Sequence, residues 1–535
     1  MRTLLINGKI YLEKGRFGEA LSIKDGYVEA VGTTKSISAT RRLKDEVIDL
    51  QGKTVLPGFN DSHLHLFLLG EAMASCNLTG AASIDEMIER GRAYLSNNKE
   101  EKGIHGRGWN QDFFTTGEKR LPRREDLDLI STDIPIVYER VCGHVAVGNT
   151  KAMELAGIKN DTKVPGGTIE RSPDGILSGL VTENATHVLT KALSQKDKEA
   201  KKSQFIEAGK YVLRQGITSV QSCDVSGPDF QKTFDWIREV YEEKSLPLRY
   251  RHQFNFQRIE DFQKYLKSEH IDGKYEDGFF QKGSLKLFKD GSLGGRTALL
   301  SKPYADDPTT KGVEALEDKD LRDLCQLAQD NNIPVITHAI GDGAVESVLN
   351  TYEEVLQGKE NSLRHGIVHN QITTKQQLNR IVSGGFAIMA QPVFLDYDLH
   401  IVKKRVGEEL AKTSYAFNTL YQKGALICIG TDAPVEDSNP FRNIYAAVTR
   451  MDQKGYPEGG YQPEERMTVE EAVDAYTYLG AKNQFQEKIK GKLLPGYYAD
   501  LIVLDRDLFT INATEISDTQ VDLTMVGGKV VYKRE

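Results

Sequence analysis

The segment Asp61-Ser-His-Leu-His65 carries the first residues of this chain whose types and spacing suit metal binding. It follows Val55–Leu56, which have the character of a strand end, and a kink at Pro57-Gly58. In an extended segment, residues i and i+2 point to the same side, so His63 and His65 can meet one metal ion. A surface or capping pair explains an isolated His-x-His equally well, so the chemistry depends on ligands elsewhere in the chain.

Further potential ligands stand at the ends of later strand-like runs. His338 and His369 each follow an apolar run, and Asp432 follows another. In a barrel of parallel strands, residues at the carboxyl ends share one location. A structural role is the better explanation for any single histidine, whereas the four histidines and the aspartate together indicate a divalent metal site.

Lys286 and Lys289 lie within a further run, Gly283-Ser-Leu-Lys-Leu-Phe-Lys-Asp-Gly291. Lysine is rarely buried, so a lysine inside a barrel mouth needs a partner or a lowered pKa. A neutral buried amine can react with CO2 to give a carbamate, whose two oxygens could bridge two metal ions. A solvated or ion-paired side chain is the alternative for either lysine.

The elements that must position these residues alternate between short β-rich runs and helical stretches. This alternation is typical of a parallel α/β sheet, and it predicts an α/β fold of the (β/α)8 TIM barrel type. One strand leads to His63, and seven more are expected at Ile217–Ser222, Leu248–Phe254, Ser284–Phe288, Ile333–Thr337, Gly366–Val368, Phe386–Ala390 and Ala425–Ile429. Helices are expected at Lys319–Asn331, Ala344–Leu356, Val406–Lys423 and, from a capping box at Thr468–Glu471, through Asn483.

Both ends of the chain alternate apolar and polar positions between glycine-containing turns, as antiparallel strands do. Residues 1–56 and 484–535 are therefore predicted to form the two parts of one composite β-sandwich, and 57–483 the barrel domain. A typical barrel takes roughly 250 residues, so this one carries additions. Most of the excess, about 70–205, falls between the first two barrel strands. Its glycine-punctuated loops with polar or aromatic tips favour a large inserted subdomain that covers the site.

The composition limits the partners and the compartment. The net charge of −8, without a Lys/Arg cluster that has interleaved aromatics, disfavours a nucleic-acid partner. The five scattered cysteines lack a Cys-x-x-Cys pair, so reduced and mostly buried thiols are expected. No signal peptide and no membrane segment are expected, which leaves cytoplasmic residence. A small-molecule substrate and a homodimer complete the expectation.

Several motifs of this chain together resemble the amidohydrolase superfamily. They are Pro57–His65, Lys286–Ala298, His338–Asp342, His365–His369 and Gly430–Pro434. More narrowly, they resemble the long-chain subgroup that includes N-substituted formamide deformylases. The resemblance spans essentially the whole chain, and it implies a metal-dependent hydrolase.

The resemblance implies a role for each ligand candidate. One metal ion is bound by His63 and His65 and the other by His338 and His369. Lys286, which precedes an Asp-Gly pair by four positions, matches the carboxylated bridging lysine, and it is therefore preferred to Lys289. Zinc is the expected ion, at one or two per chain, and iron, manganese or cobalt would also suit these ligands.

Asp432 is the catalytic residue that the resemblance implies, because it would ligate metal and accept a proton from the attacking water. One position departs from the subgroup, which often has an acidic residue where Val368 precedes His369. The residues expected to contact substrate are His144, Arg296, Trp109 and Gln111.

Hydrolysis of a carbon–nitrogen bond other than a peptide bond is the predicted function, on an amide, formamide or cyclic amide. Two alternatives stay open. Ester or lactone hydrolysis could use the same site, because the same hydroxide attacks either carbonyl. A non-catalytic metal-binding protein that holds a small molecule is the other, although a fold alone does not need the full ligand set with Asp432.

Overall fold

The computed structural model describes residues 2–99, 102–141, 145–164, 167–172, 174–193, 198–268 and 278–535. The chain divides into two compact units, Met1–Leu66 with Ile206–Glu535, and Phe67–Phe205. The first unit contains a barrel and a β-sandwich. No helix in the described part of the chain is long and apolar enough to cross a membrane.

Eight strands, labelled β1 to β8 in chain order, form the barrel sheet, and each pairs in parallel with the next. They are β1 (Phe59–Leu64), β2 (Ile217–Ser226), β3 (Arg249–Asn255), β4 (Phe280–Phe288), β5 (Val335–Ala339), β6 (Gly366–His369), β7 (Ala387–Ala390) and β8 (Ile427–Ile429). The predicted TIM barrel is confirmed.

The ring closes where the end of β8 meets β1. The Asp432 amide donates to the His63 carbonyl at 2.8 Å, and the His65 amide donates to the Ala433 carbonyl at 2.8 Å. A Cβ at position 430 would lie 2.6 Å from the His63 nitrogen, so only glycine lets the two strands approach this closely. The closure therefore places Asp432 beside both histidines of β1 and its extension.

Helices follow most barrel strands. They are Phe230–Glu242, Ile259–Lys267, Asp318–Asp330, Asp342–Leu356, Lys375–Gly384, Leu395–Asp398, Val402–Ala411, Phe417–Gln422, Pro440–Thr449, Val469–Tyr476 and Tyr478–Asn483. The single helix expected at Val406–Lys423 is wrong, because two helices cover it and Gly407 breaks the first at φ 79°. The capping box at Thr468 and Glu471 is present.

The sandwich combines both ends of the chain, as the composite-sandwich prediction requires. One sheet contains Arg2–Ile6, Ala20–Lys24, Tyr27–Gly32 and Glu46–Asp49, and the other contains Lys9–Glu13, Arg16–Gly18, Thr54–Pro57, Leu501–Leu504, Val521–Val526 and Lys529–Lys533. Their shared core joins Leu5 and Leu21 of one sheet to Val55, Leu501 and Met525 of the other. Val55–Leu56 thus belong to the sandwich and not to the barrel strand, which starts after Gly58.

The second unit has its own six-stranded sheet. The strands are Cys76–Asn77, Ile104–Trp109, Ile136–Arg140, Val145–Gly148, Gly167–Arg171 and Leu177–Glu183. Its longest complete helix is Ile84–Asn97, with shorter ones at Arg124–Asp128, Thr150–Leu155 and Asn184–Thr190. The helices Leu66–Met73 and Lys198–Arg214 span the two boundaries of the unit.

Candidate metal centre

Three ligand candidates meet where β1 and β8 end. The Nε2 atoms of His63 and His65 lie 3.5 and 3.3 Å from Oδ1 of Asp432. Within the described residues, these three form the group whose potential ligand atoms all lie within 4.8 Å of one another. Oδ2 of the same carboxylate faces His369, whose Nε2 is 4.0 Å away. The Asp432 carboxylate therefore stands between the histidines of β1 and the histidine of β6.

His338 completes the set from β5. Its ring centroid lies 4.4 Å from that of His369, in an edge-to-face arrangement. The structure thus brings together His63, His65, His338, His369 and Asp432, at the carboxyl ends of four strands.

Two glutamines orient the rings of His63 and His369. Nδ1 of His63 lies 2.8 Å from Oε1 of Gln253, and Nδ1 of His369 lies 2.8 Å from Oε1 of Gln391. The Gln253 amide nitrogen donates to the Ser62 carbonyl at 3.3 Å, which fixes the amide with its oxygen toward His63. An acceptor at Nδ1 selects the tautomer that has its lone pair on Nε2, the form that binds metal.

An aspartate holds His338 in the same way. Nδ1 of His338 donates to Asp290 Oδ1 at 2.9 Å, and the second oxygen of Asp290 accepts from the amides of Gly341 at 2.8 Å and Leu299 at 2.9 Å. Asp290 thereby ties the segment after β4 to the end of β5. The carboxylate makes His338 a more basic ligand than a neutral amide would.

The electrostatics of the site favour neutral imidazoles at His63 and His369 and a proton at His65. Burial, aided by the charge of Lys286, holds the pKa of His63 well below its ordinary value, and burial with the charge of His338 does the same for His369. Burial also opposes ionisation of His65, but its bond to Asp432 raises the pKa of His65 well above the ordinary value. Metal ligation requires deprotonated histidine, so bound metal would displace a proton from the His65–Asp432 pair.

Lys286 and Lys289 have different environments although both are fully buried. Lys289 donates to Asp318 at 2.6 Å and to the carboxylate of Glu314. Lys286 Nζ has no hydrogen-bond partner among the described residues and lies 3.7 Å from the centre of the Phe288 ring. Burial lowers the pKa of Lys286 to about 8. Of the two buried amines, Lys286 is therefore the one without a carboxylate partner among the described residues.

The backbone is strained at two of the ligands. His369 has a φ of 78° and Asp432 a φ of 57°, and Asn370 follows with 53°. Non-glycine residues adopt this region at a cost that the surrounding structure must offset, and such residues cluster at functional sites. The side chains of these two ligands face each other, with His369 Nε2 4.0 Å from Asp432 Oδ2.

These residues fit a divalent metal ion. The donor set contains imidazole nitrogens and a carboxylate, which suit zinc and its neighbours in the transition series. The orphaned amine of Lys286 is an independent sign of a missing partner in this site, because a buried polar group without one is costly.

The four residues predicted to contact substrate are not among the clustered ligands, and one of them lies outside the described part of the chain. Arg296 is in the loop after β4, paired with Asp306 at 3.0 Å. Trp109 and Gln111 belong to the second unit, where Trp109 is in the apolar core and Gln111 accepts from Arg140 at 3.0 Å. The predicted residue outside the described part of the chain is His144.

Three orienting residues were not identified from the sequence, namely Gln253, Gln391 and Asp290. Asp290 sits in the Lys-Asp-Gly motif after β4, so its position was a usable signal. No sequence motif marks the positions of Gln253 and Gln391. Val368, at the departing position, pairs in register with His338 and Met389 and packs in the apolar cluster with Met389 and Cys428.

The sequence model of the amidohydrolase family matches residues 46–532. The chain belongs to the amidohydrolase family. An uncharacterized metal-dependent hydrolase from Pyrococcus furiosus, known from a crystal structure, is 32% identical with a TM-score of 0.78, covering 95% of this chain and all 100% of that one. Protein LONG AFTER FAR-RED 3 of Arabidopsis thaliana is 31% identical over 99% of this chain and 91% of its own. The N-substituted formamide deformylase of Arthrobacter pascens is 24% identical over 100% of this chain and 99% of its own.

Membership of the family confirms the resemblance carried by the sequence motifs, and the amidohydrolase fold agrees with the closed barrel. The family therefore indicates hydrolysis as the class of reaction at this site.

Proposed function

We propose that this amidohydrolase is a metal-dependent enzyme that hydrolyses a carbon–nitrogen bond other than a peptide bond. The observation that carries the proposal is the position of Asp432. Its Oδ1 lies 3.3 Å from His65 Nε2, while its Oδ2 faces His369 at 4.0 Å. A carboxylate placed between ligand histidines can hold a metal ion and move a proton at the same site.

The ligand residues divide the work of such a reaction. A divalent metal ion held by the four histidines and Asp432 would supply a Lewis acid and lower the pKa of water. Asp432 accepts the proton of the attacking water on a carboxylate oxygen and returns it to the leaving nitrogen. Gln253, Gln391 and Asp290 keep the imidazoles in one tautomer throughout.

Lys286 is proposed to be carboxylated. Its Nζ lone pair attacks the carbon of CO2, an N–C bond forms while one C=O π bond breaks and its electron pair moves to oxygen, and one proton leaves Nζ to water. The product is a carbamate that carries two oxygens into a site with imidazoles on either side. The proposal is supported by the complete burial of Lys286 and by its lack of a partner among the described residues.

The choice of a carbon–nitrogen bond is supported by one relative. The Arthrobacter pascens protein named N-substituted formamide deformylase aligns with this chain along essentially its full length. At 24% identity the alignment supports a reaction class and leaves the acyl group and the amine open.

The function is tested by elemental analysis together with a panel of N-formyl, N-acyl and cyclic amides and matched esters. We expect bound metal and amide hydrolysis in the wild type, and loss of both in His63→Ala/His65→Ala. His400→Ala is the matched control, because His400 is bonded to Asp452 and its side chain is 44% exposed. Turnover of esters alone would contradict the carbon–nitrogen assignment. No metal after reconstitution would contradict the whole proposal.

Asp432→Asn separates an enzyme from a binding protein. We expect the variant to bind substrate but to lose turnover, because the amide cannot accept the proton. If neither form turns over any compound while both bind ligand, the non-catalytic alternative is correct.

The carbamate is tested by the native mass of the protein. We expect the added mass of one CO2 in the wild type, loss of that mass and of metal in Lys286→Ala, and partial return of metal with short-chain carboxylic acids. Lys289→Ala is expected to keep its metal while losing stability, since its ion pairs are structural. Unchanged metal in Lys286→Ala would rule out the bridging role.

A further inference from the structure

Arg251 is a buried cation that the proposed reaction does not use. It lies on β3, two positions before Gln253, so its side chain leaves the same face of the strand toward the amino-terminal end of the barrel. Only 7% of the residue is exposed. Its Nε has no hydrogen-bond partner, and no carboxylate pairs with its guanidinium among the described residues.

The chain makes room for this side chain. A Cβ at position 283 on β4 would lie 3.1 Å from Arg251 Cγ and 2.3 Å from the His252 carbonyl oxygen. Glycine at 283 therefore admits the arginine stem between β3 and β4. On its outer side Arg251 faces the ring of Phe485 at 5.9 Å, and Arg364 lies over the same ring at 4.1 Å.

Nearby carboxylates are already used by other cations. Asp500 receives Arg249 Nε at 2.6 Å and Nη2 at 3.0 Å, and it also accepts the Gly527 amide at 2.8 Å. Glu487 pairs with Arg364 at 2.7 Å. Neither carboxylate is available for Arg251.

Lys490 adds a second buried amine at this end of the barrel. Its Nζ donates to Ser219 Oγ at 2.8 Å and to Oε1 of Gln484, both neutral acceptors. Ser219 and Arg249 are paired in the register of β2 with β3, so Lys490 and Arg251 lie at neighbouring positions of the same barrel end. Burial, with the charges of Arg249 and Arg251, holds the pKa of Lys490 well below its ordinary value.

The charges of this cluster do not balance. Arg249 is neutralised by Asp500 and Arg364 by Glu487. Arg251 and Lys490 have no carboxylate partner among the described residues, in an environment where an unpaired ion costs several kcal/mol. A single negative charge here would offset the excess positive charge and accept the unpartnered N–H of Arg251 Nε.

We propose that the amino-terminal end of the barrel binds one small monovalent inorganic anion against Arg251 and Lys490. Chloride is the probe for this class. The anion would lie at the opposite end of the barrel from the metal centre, between strands β2, β3 and the segment Gln484–Lys490 that leads into the sandwich. It would act as a structural counter-ion, with no part in the hydrolysis.

The test uses the purified, metal-loaded protein in sodium chloride and in sodium gluconate at the same ionic strength. We expect the thermal midpoint of the wild type to rise with chloride and to saturate as for one site. Gluconate carries the same charge as chloride but is a much bulkier anion, so it is expected to stabilise less. Arg251→Met should remove the chloride dependence. Arg322→Met is the matched control, because Arg322 is exposed and paired with Glu354 at 2.9 Å.

A crystal soaked in bromide supplies a second measurement that does not depend on a foldable variant. We expect an anomalous peak within hydrogen-bond distance of the Arg251 guanidinium in the wild type. Equal midpoints in chloride and gluconate, or a bromide-soaked crystal with no peak at Arg251, would overturn the proposal. The group there would then be water, bridging Arg251 to an acceptor such as Gln486 Oε1, which also has no partner among the described residues.

Discussion

Gln253 orients His63 through one hydrogen bond of 2.8 Å between Oε1 and Nδ1. We predict that Gln253→Leu weakens metal binding by about 10- to 100-fold, the usual cost of losing a group that orients a ligand histidine. The physical reason is that Nδ1–H loses its acceptor, so the ring can rotate or move its proton to Nε2. Competition with a coloured chelator measures the affinity.

Gln253→Glu is the matched control for that prediction, because it keeps an acceptor oxygen at nearly the same position. It should bind metal at least as tightly as the wild type. If Gln253→Leu binds metal as the wild type does, the hydrogen bond has no orienting role and packing alone holds His63.

Single residues of the site were predictable where chemistry and spacing coincide. His63 and His65 were predicted from their i, i+2 spacing together with the potential ligands at later strand ends, of which Asp432 is one. Gln253 could not be found in this way, because its role depends on a partner 190 positions away in sequence. Lys286 was preferred to Lys289 by resemblance, and the different partners of the two amines now give that preference a physical basis.

At the scale of elements, His365 links neighbouring strands at the amino-terminal end of β6. The Val335 amide of β5 donates to its Nδ1 at 2.9 Å, and Nε2 lies 2.8 Å from Gln329 Oε1. Burial lowers the pKa of His365 to about 4. A histidine in the unfolded chain has a pKa near 6.5, so between about pH 6.5 and 4 the unfolded chain binds a proton at His365 that the folded chain does not bind. The free energy of unfolding therefore falls as the pH drops from about 6.5 toward 4.

We predict that this histidine contributes about 3 kcal/mol to the loss of unfolding free energy between neutral pH and pH near 4, since each pKa unit is worth about 1.4 kcal/mol. His365→Asn keeps an acceptor for the Val335 amide but cannot titrate, so its unfolding free energy should depend less on pH. Urea unfolding at a series of pH values measures the slope. An unchanged slope in His365→Asn would assign the effect to other groups.

The elements themselves were predictable to different degrees. All seven later barrel strands occur where β-rich runs between helical stretches predicted them, with ends that differ by a few residues. The helix expected at Val406–Lys423 divides in two, since Gly407 takes a positive φ that helical periodicity does not reveal. Val55–Leu56 lie in the sandwich, as the boundary predicted after residue 56 requires, and the kink at Pro57-Gly58 separates them from β1.

At the scale of the molecule, the composite sandwich makes both chain ends necessary to one core. Thr54–Pro57 pairs with Lys9–Glu13 on one side and with Leu501–Leu504 on the other. Similar β-rich texture at the two ends was enough to predict this union. The buried cation Arg251 was beyond such a prediction, because the carboxylates it lacks are known only once Arg249 and Arg364 have taken them.

Removal of the metal ions should lower the stability of the whole first unit, because the ligands come from β1, β5, β6 and the end of β8 and so span the closure of the barrel. A ligand that binds only the folded state stabilises it by about 2.7 kcal/mol at 100 times its dissociation constant. We predict that dialysis against a chelator lowers the thermal midpoint and that zinc restores it, whereas His63→Ala/His65→Ala does not respond to either treatment. The chelated wild type should still fold, because backbone hydrogen bonds and Gly430 close the barrel without any ion. An unchanged midpoint after verified metal loss would mean that the ligands are held entirely by Gln253, Gln391, Asp290 and the strands themselves.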